Sequence, residues 1–119
     1  MAAMADPKCL FCSIAARELP ADIVHDDDLV VAFRDVSPKA PTHLLLIPRR
    51  HIASAADLGG TDAEMLGRLF TVAAKLAREA GVAEGGYRMV TNVGRGAGQS
   101  VAHLHFHLLG GRSLGWPPG

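Results

Sequence analysis

At 119 residues the chain fits one domain, and a domain of that size buries roughly two-thirds of its unfolded surface without disulfide staples. Lysine plus arginine and aspartate plus glutamate stand at 12 each, which leaves no basic footprint for bulk binding to nucleic acid or an anionic membrane. No apolar run approaches membrane-spanning length and Met1 to Lys8 holds no signal-like apolar segment, so the expectation is a soluble cytoplasmic protein.

Residues 1–8 read as a flexible start, and 9–119 as the domain. Cys9 to Glu18 is short and helix-compatible, with Phe11, Ile14 and Ala15 on one side. Leu19-Pro20 ends it, because the residue before proline avoids the helical region. Both cysteines lie in one Cys9-x-x-Cys12. In a reducing compartment that spacing means metal or redox chemistry before a structural disulfide, and no thioredoxin-like βαβ pattern surrounds it. Ile23 to Asp26 and Leu29 to Arg34 form a hairpin turned by Asp26-Asp27-Asp28. Asp35 to Pro41, with two prolines, is a loop. His43 to Ile47 is a third strand stopped by Pro48, and its unbroken Leu44-Leu45-Leu46-Ile47 predicts burial on both faces and a central position.

Thr61 to Ala80 reads as the long helix. Thr61 and Glu64 give a capping box, and Leu66, Leu69, Phe70, Ala73, Leu76, Ala77 and Ala80 follow helical spacing. Gly81 is a natural stop. Met65, Val72 and Ala74 fall off the stripe, wide enough for a second buried contact. Tyr87 to Asn92 is a fourth strand, and residues 93–102 form a glycine-rich loop. The sum is an α+β domain: a five-stranded antiparallel sheet with one long and one short helix.

The fifth strand carries the chemistry. Between Ser100 and Leu109, His103, His105 and His107 alternate with Leu104, Phe106 and Leu108. A strand turns the three apolar residues to a core and sets the imidazoles in a row on the other face, roughly 6.6–6.8 Å apart. Such a row suits a metal site, or a nucleophilic imidazole flanked by groups that orient it and handle protons. The preceding Gly94-Arg95-Gly96-Ala97-Gly98-Gln99-Ser100 lets backbone N–H groups approach an anion. It delivers an amide and a hydroxyl to the head of the histidine strand, donors suited to phosphoryl or acyl transfer.

His103-x-His105-x-His107-Leu108-Leu109 resembles the signature of the histidine triad (HIT) superfamily. Phe11-x-x-Ile14, Leu19-Pro20-Ala21, Ala32-Phe33-x-Asp35, Ala40-Pro41-Thr42-His43 and Ile47-Pro48-x-x-His51-Ile52 are similar to its Hint branch. So are Tyr87-Arg88-Met89-Val90, Gly98-Gln99-Ser100-Val101, Gly110-Gly111-Arg112 and the Trp116-Pro117-Pro118-Gly119 end. The resemblance implies a purine nucleoside phosphoramidase that cleaves AMP or GMP from an amine through a covalent nucleotidyl-histidine. Carried over by position, His105 is the nucleophile and His107 contacts the phosphate and assists the leaving group. Ser100 and His103 complete the catalytic set. Asn92, Gly98, Gln99, Ser100 and Val101 hold the phosphate side. Asp35 accepts from the ribose, and Leu10, Phe11, Ile14, Leu19, Phe33 and Val36 form the base pocket.

The resemblance also implies a homodimer whose two sheets join into a ten-stranded one. Cys9 and Cys12 supply two soft ligands where a structural zinc needs four, and His51 and His103 are the candidates for the rest. The chemistry itself requires no cofactor. The rival readings are a dinucleoside polyphosphate hydrolase, a nucleotide-binding module whose catalysis is incidental, and a metallohydrolase with the histidine row as ligands.

Overall fold

A computed structural model describes residues 6–119. Five strands, β1 (Ile23–Asp26), β2 (Val30–Arg34), β3 (Thr42–Pro48), β4 (Tyr87–Val90) and β5 (Phe106–Gly110), form one antiparallel sheet in the order β1-β2-β3-β5-β4. Helix α1 spans Leu10–Ala15 and helix α2 spans Ala63–Glu79. Short 3-10 turns occupy 55–57, 60–62 and 95–97.

The expected central strand is central. β3 lies between β2 and β5, and every residue from His43 to Pro48 is buried. Pleating sorts its side chains in alternation. Leu44 and Leu46 join Val30, Ala32, Leu104, Phe106 and Leu108 under the Leu69, Ala73 and Leu76 stripe of α2. On the opposite face, Leu45 and Ile47 join Val31 and Phe33 against Phe11 and Ile14 of α1, with Cys9 and Cys12 beside them. A six-residue helix is too short to hold itself in water, so α1 depends on this packing.

Several element ends differ from the sequence expectation. α1 stops at Ala15, before Leu19-Pro20, because Arg17 adopts a left-handed φ of 61°. The amides of Arg17 and Glu18 then reach back to the Ile14 and Ser13 carbonyls, a Schellman closure without glycine. Thr61 and Glu64 do not form the capping box. Asp62 does that work, its carboxylate accepting the Gly59 amide at 2.9 Å and pairing with Arg50. Met65 and Val72 are part of the core under α2, whereas Phe70 is half-exposed and meets Phe106 edge-on at 5.3 Å. The expected flexible start lies partly outside the described residues. Within them, the Asp6 amide bonds the Cys12 sulfur at 3.3 Å.

The largest difference concerns the histidine strand. Regular pairing begins only at Phe106, opposite Leu46. Upstream, the backbone takes other partners: the Leu104 amide bonds the Ile52 carbonyl at 2.6 Å and the Thr91 hydroxyl donates to the His105 carbonyl at 2.8 Å. Apolar and imidazole residues still alternate between faces, so the row survives without a regular ladder beneath its first two members.

β5 ends against Val82. A Cβ added at Gly110 would lie 2.9 Å from the Val82 Cβ, with both Val82 methyls at 3.1 Å. Val82 is stiff at χ1 and cannot swing aside. Gly110→Ala is therefore expected to destabilise the fold by about 1–3 kcal/mol, read as a lower urea midpoint with unchanged m. A midpoint equal to wild type would show that this packing is looser than described.

Candidate active site

The sheet face beneath α1 is only partly covered. A cavity of about 480 Å³ opens there, within the usual range for small-molecule sites. Phe11, Ile14 and Phe33 form its apolar wall, and Leu10, Leu19 and Val36 extend that wall to an exposed rim. The opposite side carries Asp35, Ser100, Val101, His105 and His107. Pro20, Ala21, Arg34 and Leu45 complete the lining and were not among the expected residues. Leu45 had a signal in the sequence, since it lies two residues from His43 and shares its face of the strand.

A neutral imidazole has one proton, so the partner of one ring nitrogen decides the state of the other. His105 Nδ1–H donates to the His103 carbonyl oxygen at 2.7 Å. Its Nε2 keeps a free lone pair at the cavity. Phe11 packs edge-on against the same ring at 5.2 Å and limits its rotation. The side chain of His103 turns the other way: Nε2–H donates to the Pro48 carbonyl at 2.9 Å, which leaves Nδ1 as the acceptor or ligand atom.

That Nδ1 lies 3.2 Å from Cys9 Sγ and 3.5 Å from Cys12 Sγ, and His51 Nδ1 lies 3.4 Å from Cys12 Sγ. All four ligand atoms fall within 4.8 Å of one another, close enough to bind a metal. The arrangement fits a ligand set, because a metal-bound histidine characteristically donates its other ring N–H to a carbonyl. Burial raises the Cys12 thiol to about 11, against the opposing Asp6 amide. The three histidines of the row do not share a metal: His103 belongs to this cluster, His107 to another, and His105 to neither.

The second cluster is Asp35, His43 and His107. His43 Nε2 lies 2.9 Å from His107 Nδ1 and 3.4 Å from an Asp35 carboxylate oxygen. The Lys39 amide donates to His43 Nδ1 at 3.0 Å, so the proton of a neutral His43 is on Nε2. That nitrogen is a donor rather than a ligand, and the group is a hydrogen-bond chain. The Ala40-Pro41-Thr42-His43 pattern included His43 but gave it no role, because its partners are brought to it only by the pairing of β3 with β5.

The glycine-rich loop behaves differently from expectation at three positions. Gln99 turns inward: its Oε1 accepts the Gly94 amide at 2.9 Å, and its Nε2 donates to the Ala53 and Val101 carbonyls at 2.8 and 3.0 Å. No donor of that amide is left for an anion. Gly98, at φ +90°, closes the turn that lets Gln99 do this. Asn92 and Gly98 do not line the cavity, whereas Ser100 and Val101 do.

Residues 16–114 match the HIT domain family. The chain is 54% identical, over 106 residues covering 89% of each chain, to the purine nucleoside phosphoramidase of Escherichia coli. A solved HIT family hydrolase from Legionella pneumophila Philadelphia 1 superposes with a TM-score of 0.92 at 53% identity, over 94% of this chain and 100% of that one. A second, from Clostridium thermocellum, gives 0.91 at 45% identity over 93% and 96%.

Burial lowers His103 and His107 from 6.5 to about 4, helped by neighbouring histidines. Both are neutral in the fold, while the unfolded chain protonates them below about 6.5. Their contribution is therefore complete above that pH and is lost as pH falls from 6.5 towards 4. Each adds up to ~1.4 kcal/mol per pH unit in that window. Asp27 acts lower. Burial favours its neutral form, but hydrogen bonds from His25 and the Leu29 and Val30 amides outweigh this and hold it at about 2, so its contribution fades only below the usual carboxylate value. Urea midpoints of metal-free protein are expected to drop between about pH 6.5 and about pH 4. A flat midpoint across that range contradicts neutral, buried His103 and His107.

Proposed function

The chain belongs to the HIT family, and from that premise we propose that it hydrolyses purine nucleoside 5′-phosphoramidates, AMP or GMP joined to an amine. The observation that carries the reading is the His105 ring, whose Nδ1–H is spent on the His103 carbonyl while Nε2 stays free at the cavity. In the first half-reaction Nε2 bonds the α-phosphorus as the P–N bond breaks, and the leaving nitrogen takes one proton from solvent and departs as the amine. In the second, water attacks the nucleotidyl-histidine, the P–Nε2 bond breaks, and the proton lost by that water returns to solvent. Splitting one displacement into two lowers each barrier.

His107, with Nδ1 facing His43, turns Nε2–H toward the phosphate and the leaving nitrogen. A neutral imidazole donor polarises without needing a second proton. Ser100 and the Val101 amide serve the phosphate, and Gln99 acts indirectly by bracing their loop. Gly98 supports the same loop through its turn, and Asn92 lies outside the cavity. Asp35 accepts from the ribose hydroxyls, and the wall from Leu10 to Val36 takes the purine. His103 supports the nucleophile through its own carbonyl.

The cation of the Cys9, Cys12, His51 and His103 cluster is a structural zinc in this reading. Zn–S near 2.3 Å and Zn–N near 2.0–2.1 Å in a tetrahedron imply S···N edges of roughly 3.5 Å, and the sulfur–nitrogen distances here run from 3.2 to 3.5 Å. Bound zinc would join α1 to the head of the histidine segment and supply no chemistry to the reaction. Residues 9–119 act as one domain and as half of a homodimer with a ten-stranded sheet. The edge strand β4 and the exposed Tyr87, Phe70 and Trp116 support a second copy. No helix among the described residues is long and apolar enough to cross a membrane, and the balanced charge fits a cytoplasmic enzyme acting on nucleotides.

Two measurements test these assignments. His105→Ala is expected to lower turnover of an adenosine 5′-phosphoramidate by about three orders of magnitude or more, with far-ultraviolet dichroism unchanged. Substantial residual turnover would remove His105 as nucleophile. Purified protein is expected to carry about one zinc per chain. Its removal should lower the melting temperature while leaving turnover measurable at 25 °C. Protein that never retains zinc, or activity lost on chelation without unfolding, contradicts the structural role.

A further inference from the structure

His43 is the buried titratable group that the proposed reaction does not yet use. Its surroundings are specific. The Lys39 amide donates to Nδ1 at 3.0 Å, and a backbone amide cannot reverse its polarity. The proton of the neutral ring is therefore on Nε2, where two acceptors compete for it: His107 Nδ1 at 2.9 Å and Asp35 Oδ2 at 3.4 Å. The side chain is 4% exposed.

The two outcomes differ in what the cavity sees. When Nε2–H goes to His107, that Nδ1 is an acceptor and the proton of the ring stays on Nε2, facing the cavity. When it goes to Asp35, His107 loses the partner that defines its tautomer, and its proton is free to move to Nδ1. Asp35 is well placed to arbitrate. Its Oδ1 is held by the Ser37 amide at 2.8 Å, and its own amide donates to the His43 carbonyl at 3.0 Å. The carboxylate therefore cannot swing away, while its side chain remains 19% exposed and lines the cavity. Two further clamps hold the loop: Lys39 Nζ donates to the Ser37 carbonyl and hydroxyl at 2.8 and 3.1 Å, and Arg112 donates to the Lys39 carbonyl at 3.0 and 3.2 Å.

We infer that His43 is a positioning residue that couples ribose recognition at Asp35 to the hydrogen-bond donor His107 presents to the leaving group. The inference rests on the proposed function for the sugar at Asp35. Ribose hydroxyls donating to the carboxylate draw charge from it and weaken its hold on the His43 proton. That proton then commits to His107, and the Nε2–H of His107 points at the reacting phosphate. A sugar without these hydroxyls leaves the proton divided. Binding energy from a remote part of the substrate is thereby expressed in kcat rather than in KM alone. No proton leaves His43; the coupling is a change of partner.

The test compares an adenosine 5′-phosphoramidate bearing a fluorescent amine with its 2′,3′-dideoxy counterpart, on wild type, His43→Phe and His43→Gln. Wild type is expected to show a higher kcat on the ribose substrate, by about tenfold. His43→Phe should lower that kcat by about 10- to 100-fold and bring the two substrates within about twofold of each other. His43→Gln, which keeps an N–H donor, should recover about tenfold of the loss. A Phe variant with wild-type kcat, or one that keeps the full ribose preference, overturns the inference.

Ring nitrogen spectra of labelled wild type bound to AMP and to 2′,3′-dideoxy-AMP provide a readout independent of turnover and of any folding defect in the variants. With AMP, His107 is expected protonated at Nε2 and bare at Nδ1, and with the dideoxy nucleotide mixed. Identical spectra, or Nδ1–H on His107 with AMP, refute the coupling. Wild type that turns over neither substrate refutes the proposed function instead, and the spectra still decide the role of His43.

Discussion

The rest of the site depends on the hydrogen bond from His105 Nδ1–H to the carbonyl two residues behind it, at 2.7 Å. It costs the protein no side chain and is set by local backbone. Its consequence is chemical: with Nδ1 committed, the only basic nitrogen of the ring is Nε2, at the cavity. A regular strand could not provide this bond, because a ladder carbonyl at His103 would face a neighbouring strand. The segment from His103 to His105 instead gives its polar groups to Ile52 and Thr91 and frees the His103 carbonyl for its neighbour's ring. The late start of β5 is thus part of how the His105 ring is aimed at the cavity.

The sheet does the remaining positioning through register. His43 pairs with Leu109 and Leu45 pairs with His107. His43 and His107 are therefore diagonal neighbours on one face, close enough for long side chains to meet. A one-residue slip of β3 against β5 would put the two rings on opposite faces of the sheet. The run Leu44-Leu45-Leu46-Ile47 is apolar on both faces, so it is the alternation in β5, with Phe106 and Leu108 under α2 and His105 and His107 opposite, that opposes the slip. Packing of Phe106 and Leu108 under α2 thus holds the His43–His107 contact on the opposite face.

Much of this was legible in the sequence, and the losses have physical causes. Strict alternation of histidine and apolar residues placed the imidazoles on one face even where the ladder is absent, since side-chain alternation requires only extended backbone. Cys9 and Cys12 were legible from their spacing and soft chemistry, while His51 and His103 among the six histidines were picked out by the family resemblance. Gln99 was misread because donor type says nothing about direction, and the glycine turn before it aims the amide at backbone. The helix cap was misplaced because two acidic residues, Asp62 and Glu64, lie within reach of the same first turn, and only the 3-10 turn at 60–62 selects Asp62. His43 was seen as part of a pattern, but its role was illegible for a stronger reason. Its significance lies in which nitrogen carries the proton, and that is set by the Lys39 amide and Asp35, two groups placed by a proline-rich loop with no periodic signal.

His103 connects the two halves of the molecule's chemistry. Its side chain belongs to the Cys9, Cys12 and His51 cluster, with Nε2–H held by the Pro48 carbonyl at the end of β3. Its carbonyl accepts from the His105 ring. A backbone carbonyl can orient that ring only as well as its own residue is held, and a misplacement of even an ångström at a reacting group is expensive in rate. The cluster therefore need not line the cavity to matter for it. It secures a residue whose main chain holds the His105 ring and whose side chain faces away. This also accounts for the unequal burial along the row. His103 is fully buried, His105 nearly so and His107 partly open to the cavity.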